Sequence, residues 1–240
     1  MDDERVVWVT GGGTGMGAAV ARSAAARGWA VAVSGRRPGP LDDVAGGIAR
    51  DGGRALALPV DVQDPAAVAA ARQAVLDTFG RLDAVVLSAG LNTPQRRWSD
   101  QDMDVFDDIV RTNLTATARV VDAALPDLRS AGGKIVVISS VAGWRFSPGA
   151  GVAYSASKTA LGSLTRSINN QEAEHGVRAC HLCPGDVATD FLEQRPSVPD
   201  AAARAVMLTP EDIAAAVQYV LDTPAHVRVD ELVVSPISQR

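Results

Sequence analysis

The sequence predicts an α/β fold in which a doubly wound, mostly seven-stranded parallel sheet is covered by helices on both faces. Three observations support this prediction. Short β-branched runs recur along the chain, each is followed by a longer segment with helical spacing of apolar residues, and most runs are apolar throughout. Runs without polar alternation are typical of strands buried between two layers of helices.

The individual elements follow from these patterns in chain order. Strands are predicted at residues 5–10, 29–34, 54–60, 82–89, 134–140, 177–183 and 231–234. Helices are predicted at residues 15–27, 38–51, 65–79, 103–130, 154–175 and 210–221. Asp64 before Pro65 predicts a capped helix start with proline in the first helical position.

The alternation of strands and helices predicts one Rossmann-type domain over residues 1–240, with one interruption. Between residues 186 and 208, Pro196, Pro199 and mixed charges exclude a long helix. This segment follows the carboxyl end of a predicted strand, where ligands bind in open α/β sheets. We therefore expect it to be the lid of a substrate site.

Composition argues against some binding partners and indicates the cellular compartment of the protein. The chain has 23 Lys and Arg against 28 Asp and Glu, a net charge of −5, and no basic run, which argues against a nucleic acid partner. No apolar stretch approaches the roughly 18 residues that a membrane span needs. The start, Met1 to Glu4, is acidic where a signal peptide is basic, so a cytoplasmic protein is expected.

A glycine-rich loop directly follows the first predicted strand and opens a helix. Its glycines have the spacing G-x-x-x-G-x-G. A dinucleotide pyrophosphate needs a tight turn, a bare backbone to approach and a helix N-terminus facing its charge. A merely flexible turn is the weaker interpretation because a strand precedes the loop and a helix follows it. The predicted pyrophosphate contacts are Gly11, Gly13, Thr14, Gly15, Met16 and Gly17.

The residues after the next two strands concern the adenosine half of the dinucleotide. The second strand ends at Arg36 and Arg37, with no carboxylate to hold a ribose 2′-hydroxyl, so NADP(H) is favoured and NAD(H) remains possible. A solvated helix entry is the alternative for this arginine pair. Asp61 and Val62 follow the third strand, and Asp61 is either an adenine contact or a turn aspartate.

A tyrosine and a lysine four residues apart form the candidate catalytic pair. Tyr154 and Lys158 project from one face of a predicted helix. A free phenol has a pKa near 10, and a neighbouring cation favours the phenolate, so the pair is a candidate general acid. Upstream, the strand ending at Ser139 and Ser140 offers hydroxyls for a carbonyl oxygen.

Taken in order, these motifs resemble the short-chain dehydrogenase/reductase family over nearly the whole chain. The segment 10–17 is similar to the family's cofactor loop, and Asp61-Val62 to its adenine contact. Leu87-Ser88-Ala89-Gly90 keeps the last two residues of the family's Asn-Asn-Ala-Gly. The remaining matches are Asn113, Ser140 (with Ser139 as the alternative), Tyr154, Lys158, and the nicotinamide-side loop with Pro184, Gly185, Val187 and Thr189.

The resemblance implies a mechanism and an assembly. Tyr154 would exchange the proton with the substrate oxygen, Lys158 would bind the nicotinamide ribose and lower the tyrosine pKa, and Ser140 would bond the carbonyl oxygen. Asn113 would hold a water that relays protons. Ala89 and Gly90 would let the cofactor pass close to the backbone. The family also implies a homo-oligomer, a tetramer or dimer, with the helices at 103–130 and 154–175 packing across a two-fold axis.

The leading hypothesis is thus an NADP(H)-preferring oxidoreductase that interconverts a ketone or aldehyde and an alcohol. An NAD(H) enzyme working in the oxidative direction and a non-catalytic NADP(H) sensor are the alternatives. The resemblance also disfavours an epimerase or dehydratase, because such relatives usually carry a longer C-terminal substrate domain and the about thirty residues after Pro210 leave no room for one. The complete set of four catalytic-type residues argues against a sensor.

Other residues have weaker functional interpretations. Trp144, Arg145 and Phe146 precede the tyrosine and are candidates to line the substrate pocket, together with Phe191, Leu192 and Arg195 of the lid. Cys180 and Cys183 are interpreted as buried thiols and not as a metal or redox site, because no second half-site is present. His175, near a helix end, is expected to be structural.

Overall fold

A computed structural model describes residues 4–239, which form a parallel sheet with helices on both faces. The acidic Met1 to Asp3, on which the compartment prediction rests, lie outside the described residues. The strands are β1 (Val6–Thr10), β2 (Ala30–Gly35), β3 (Ala55–Pro59), β4 (Ala84–Leu87), β5 (Lys134–Ile138), β6 (Arg178–Pro184) and β7 (Glu231–Val234). Their order is β3-β2-β1-β4-β5-β6-β7, and every pairing is parallel. The predicted fold class is confirmed.

The helices form two layers that bury opposite faces of the sheet. They are α1 (Gly15–Ala26), α2 (Pro38–Arg50), α3 (Pro65–Phe79), α4 (Met103–Val110), α5 (Ala116–Ala131), α6 (Val141–Trp144), α7 (Val152–Gln171), α8 (Ala201–Arg204) and α9 (Pro210–Asp222). One apolar core lies under α1, α2 and α9, and the other lies under α3, α5 and α7. Alternate residues of β1 point into each core, which explains why the strand is apolar throughout.

Several element boundaries differ from the sequence prediction. The predicted helix 103–130 contains a π-helical turn, Arg111–Thr115, between α4 and α5. The predicted strand 134–140 ends at Ile138, which leaves Ser139 and Ser140 in the loop beyond the sheet. The Asp64 cap is confirmed, because its carboxylate accepts hydrogen bonds from the Ala66 and Ala67 amides.

The segment 186–208 has the short, interrupted structure that its prolines predicted. It contains a 3₁₀ turn, Asp190–Gln194, and the single-turn helix α8. A parallel bridge between Val187 and Leu208 joins its two ends, so the segment forms a closed loop beyond the carboxyl end of β6. Its role as a lid remains a prediction.

In residues 4–239, no helix combines the length and the apolar content needed to cross a membrane.

Candidate active site

The strand order reverses between β1 and β4, and a cleft opens there. In doubly wound sheets this is the point where the connections leave in opposite directions and a ligand crevice forms. The cleft is lined by most of the residues predicted to bind the cofactor: Gly11, Gly13, Thr14, Gly15, Met16, Arg36, Arg37, Asp61, Val62, Ala89, Gly90, Tyr154, Lys158 and Thr189. Residues from five separate loops are thus brought together at one edge of the sheet.

The loop between β1 and α1 has the geometry of a phosphate cradle. Gly11 has φ +64°, and a Cβ there would lie 2.8 Å from the backbone nitrogen of Ala89. A Cβ on Gly17 would overlap the carbonyl oxygen of Gly11, so the helix packs directly against its own loop. The amides of the first turn of α1 have no side-chain cap, and that turn contains no acidic residue, as suits an anion site. These features fit a dinucleotide pyrophosphate.

Charges at the adenosine end of the cleft agree with this interpretation. Arg36 and Arg37 are exposed and line the cleft, and within residues 4–239 neither has a carboxylate partner. Asp61 also lines the cleft, and its side chain accepts a hydrogen bond from the Gln63 amide at 2.9 Å. That bond caps a turn, so Asp61 acts as a turn residue while its second carboxylate oxygen has no hydrogen-bond partner among the described residues.

Tyr154 and Lys158 lie one helical turn apart near the start of α7, at the inner end of the cleft. The Lys158 ammonium lies 5.6 Å from the centroid of the tyrosine ring and donates a hydrogen bond to the Ile138 carbonyl at 3.0 Å. Burial lowers the pKa of Lys158 to about 8. The lysine is therefore held by the end of β5 and directed toward the same space as the phenol.

The electrostatics of Tyr154 differ from the sequence expectation. Burial raises the pKa of the phenol above its ordinary value, whereas the expected effect of Lys158 was to lower it. The influences that lower this pKa are a hydrogen bond with Ser140 and the charges of Arg96 and Arg195. The phenol is thus protonated at neutral pH, and the cations that act on it are two arginines absent from the predicted catalytic set.

Asn113 is placed by the π-helical turn between α4 and α5. Its side chain is completely buried, and its amide group accepts from the Leu91 nitrogen at 2.7 Å and donates to the Leu91 carbonyl at 2.9 Å and to Ser157 at 3.1 Å. A π turn re-aims side chains within a helix and often marks a functional site. Both amide hydrogens are occupied, and the expected water relay stays a prediction.

Gly90 lies next to both Asn113 and Lys158. A Cβ there would lie 3.6 Å from Asn113 Oδ1 and 3.7 Å from Lys158 Nζ. The residue is exposed to the cleft, so its missing side chain leaves open the space that faces the amide and the ammonium. Close passage of a cofactor along this backbone, as the Ala89-Gly90 match predicted, fits that geometry.

A second cavity, of about 450 Å³, adjoins the cofactor cleft and shares Tyr154 with it. Ser140 lines this cavity and accepts a hydrogen bond from the Ala142 amide at 3.1 Å, while Ser139 is buried and bonds to the Lys158 carbonyl. Ser140 is therefore the serine whose hydroxyl faces the phenol. The predicted residues Pro184, Gly185, Val187, Thr189, Phe191, Leu192 and Arg195 also line the cavity.

The structure does not bring Trp144, Arg145 and Phe146 to this cavity. Trp144 is 49% exposed and Phe146 86% exposed, and the Arg145 guanidinium lies over the Trp144 ring at 5.8 Å. The turn of α6 directs these side chains toward the surface. The loop residues that follow them, Ser147, Gly149 and Ala150, line the cavity instead.

Arg96 was missed by the sequence analysis, yet it ties together three loops around the cavity. Its guanidinium donates to the carbonyls of Thr93 at 2.9 Å, Gly149 at 2.9 Å and Gln194 at 2.8 Å. Gly151, with φ +101°, packs against the stem of this side chain. A single arginine in an irregular loop has no periodicity or motif, so no sequence signal identifies it.

Cys180 and Cys183 are both buried thiols, as predicted. Burial raises the pKa of each to about 12, so both remain protonated at neutral pH. Cys183 lies 3.4 Å from the His181 ring, which in turn contacts the Glu231 carboxylate of β7 at 3.0 Å. His175 lies in a 3₁₀ turn beside Glu174, at the surface and away from the cleft.

Comparison with known proteins places these features in a family. The profile described as short chain dehydrogenase matches residues 5–199. The chain belongs to the short-chain dehydrogenase/reductase family. An uncharacterized oxidoreductase of Staphylococcus aureus is 32% identical over 236 residues, 98% of each chain. The chain is therefore an NAD(P)-dependent dehydrogenase or reductase.

Two solved structures of the family show how far the similarity extends. An alcohol dehydrogenase from the archaeon Thermococcus sibiricus, complexed with 5-hydroxy-NADP, has 30% identity and a TM-score of 0.90 and covers 99% of each chain. A metagenomic short-chain oxidoreductase in complex with NADP has 29% identity and a TM-score of 0.83, covering 97% of this chain and 96% of its own. Both are bound to cofactors of the NADP type.

Proposed function

We propose that this short-chain dehydrogenase/reductase prefers NADP(H) and interconverts a ketone or aldehyde with the corresponding alcohol. The observation that carries the proposal is the convergence of Ser140, Tyr154 and Lys158 where the cofactor cleft meets the second cavity. A carbonyl group in that cavity lies within reach of a phenol that donates its proton and of a serine hydroxyl.

Each residue has a defined task in the proposed reaction. When bound, the nicotinamide supplies or accepts the hydride. Tyr154 gives its proton to the substrate oxygen in reduction and takes it back in oxidation, while Ser140 donates a hydrogen bond to the same oxygen. Lys158, anchored on the Ile138 carbonyl, holds the nicotinamide ribose, and Asn113 fixes the loop after β4 through Leu91.

The preference for NADP(H) rests on the two arginines at the end of β2. Arg36 and Arg37 are exposed at the cleft without a carboxylate partner in the described chain, and no acid follows β2 to accept a ribose 2′-hydroxyl. A guanidinium pairs well with a phosphate. The two NADP-bound relatives support this choice of cofactor.

The test is a direct measurement of turnover with both cofactors. Loss of the absorbance of reduced nicotinamide is followed with NADPH and with NADH across ketones, aldehydes, diketones and keto esters. We expect reduction that favours NADPH. Turnover that favours NADH contradicts the cofactor preference, and tight NADPH binding without any turnover favours the sensor alternative.

An arginine substitution sharpens the cofactor test. Arg36→Gln removes one charge at the cleft, and we expect the NADPH-over-NADH ratio of kcat/KM to fall by about 10- to 100-fold. Arg22→Gln is the matched control, because Arg22 is exposed on α1 and lies outside the cleft. An unchanged ratio in Arg36→Gln would leave Arg37 as the residue to test and remove Arg36 from the site.

The predicted homo-oligomer, with its two-fold interface at α4, α5 and α7, remains a prediction. Size-exclusion chromatography with light scattering measures it directly. A dimer or tetramer mass is expected, and a monomer mass contradicts it.

A further inference from the structure

The charges around the second cavity do not match those of the whole chain. Three charged side chains line it, namely Arg96, Asp186 and Arg195. Arg195 forms an ion pair with Asp186 at 2.5 Å. The lining therefore has a net charge of +1, whereas the chain as a whole carries −5. The positive charge that remains is that of Arg96.

Arg96 has no carboxylate partner among the described residues. Its three acceptors are the neutral carbonyls of Thr93, Gly149 and Gln194, which leave two of its five N–H donors unused. Burial and the nearby charge of Arg195 both lower its pKa, so the cation is held at an electrostatic cost. A partly buried, uncompensated cation at the wall of a binding cavity favours an anionic ligand.

The position of Arg96 relative to Tyr154 sets the geometry of such a ligand. Its charge acts on the phenol, and both side chains line the same cavity. A substrate whose carbonyl oxygen meets Tyr154 therefore occupies a cavity whose wall also carries this guanidinium. A cavity of about 450 Å³ holds a small molecule of this kind.

We propose that the substrate is a carbonyl compound that carries a carboxylate, an oxo acid or its hydroxy acid product, and that Arg96 binds the carboxylate. This inference rests on the proposed function, because it assigns one end of the substrate to the phenol. Arg195 contributes less, since Asp186 already neutralises it. If Arg96 only held the three loops together, its contacts with them would be the same, but the enzyme would not prefer charged substrates over neutral ones.

The experiment compares isosteric pairs of substrates that differ in charge. The kcat/KM values with NADPH are measured for 2-, 3- and 4-oxo acids and for their methyl esters. At least one acid should exceed its ester by about 10-fold or more. Arg96→Gln should lower that acid-to-ester ratio by about 10- to 100-fold, whatever loss acid and ester share through the loops that Arg96 holds. A change in the field at Tyr154 affects acid and ester alike and cancels in the ratio.

A second variant should change the ratio in the opposite direction, and a third serves as the control. Asp186→Asn removes the carboxylate that neutralises Arg195, so the acid-to-ester ratio should rise several-fold. Arg97→Gln, at the exposed neighbouring position, should leave the ratio unchanged. If circular dichroism shows that Arg96→Gln does not fold, the Asp186→Asn ratio decides, and an unchanged ratio overturns the inference.

Other results separate this inference from the proposed function. Esters reduced better than acids at every chain length overturn the inference and leave the reductase intact. An equal loss for acid and ester in Arg96→Gln shows a clamp and also overturns it. If ketones or aldehydes are reduced but neither of these series is, the inference is overturned. If no carbonyl compound is reduced, the proposed function fails, and calorimetric binding of benzoylformate to the NADP⁺-saturated protein decides the inference. Binding that Arg96→Gln weakens supports it, and equal binding in both proteins overturns it.

Discussion

The cofactor cleft and the substrate cavity lie side by side and share Tyr154, but they are built in different ways. The cleft is formed largely by backbone, since a Cβ at Gly11 or Gly17 would clash with neighbouring backbone, and Gly15 and Gly90 line the open space without a side chain. The cavity is formed by side chains from distant loops, held together by Arg96. The comparison teaches that the cofactor cleft depends mainly on backbone geometry, whereas the substrate cavity depends on side chains supplied by separate loops.

Tyr154 stands at the boundary of the two regions, and its removal should have the largest effect. Tyr154→Phe deletes the transferable proton and little else, so kcat should fall by about 100- to 10,000-fold while NADPH binding is retained. Steady-state kinetics and fluorescence titration with NADPH measure the two quantities. A kcat within a few-fold of the wild type would exclude the phenol as the acid.

The buried Lys158 should make the stability of the fold depend on pH. Its pKa is about 8 in the structure against 10.5 for a free lysine, so the unfolded chain binds more protons between these values. Stability should therefore rise with pH from about 8 to about 10.5, and below pH 8 the whole cost of the charged form is present. Lys158→Met removes this dependence.

The measurement compares urea unfolding of both proteins at pH 7 and pH 9.5. Relative to Lys158→Met, the wild type should gain about 2 kcal/mol over this interval. Lys134, whose pKa is also lowered to about 8, contributes equally to both proteins and cancels in the difference. If the free energy of unfolding changed equally with pH in the two proteins, the pKa of Lys158 would not be lowered by folding.

Gly17 tests whether the cleft depends on bare backbone. In Gly17→Ala the new methyl group would overlap the Gly11 carbonyl, and overpacking of this kind costs about 1 to 3 kcal/mol. NADPH binding should weaken by about 10- to 100-fold because the loop must move. Gly46→Ala is the matched control, since on α2 a Cβ meets nothing within 4 Å and should stabilise the helix by about 0.5 to 1 kcal/mol. Unchanged NADPH affinity in Gly17→Ala contradicts the cradle.

The same contrast explains what the sequence could and could not predict. The succession of strands and helices and the cofactor loop follow from local patterns, because apolar runs, glycines and a capping Asp64 act on their own neighbours in the chain. The π turn at Asn113 and the clamp at Arg96 depend on contacts between segments far apart in sequence. The predicted lowering of the Tyr154 pKa was also wrong. Burial raises this pKa, and burial is a property of the folded chain that the sequence does not show.

The smallest expected effect concerns two of the three aromatic residues that the sequence analysis assigned to the substrate pocket. Phe191 lines both cavities, with its ring centroid 6.1 Å from that of Tyr154, whereas Trp144 is 49% exposed and lies outside them. Phe191→Ala should raise KM several-fold, because it removes apolar surface next to the reacting carbonyl. Trp144→Ala should leave kcat and KM within about two-fold of the wild type, since exposed side chains away from a site have small effects. An equal rise in KM for both variants would mean that the 141–151 loop closes over the substrate. The loop-built substrate site would then include the exposed Trp144 as well as the cavity.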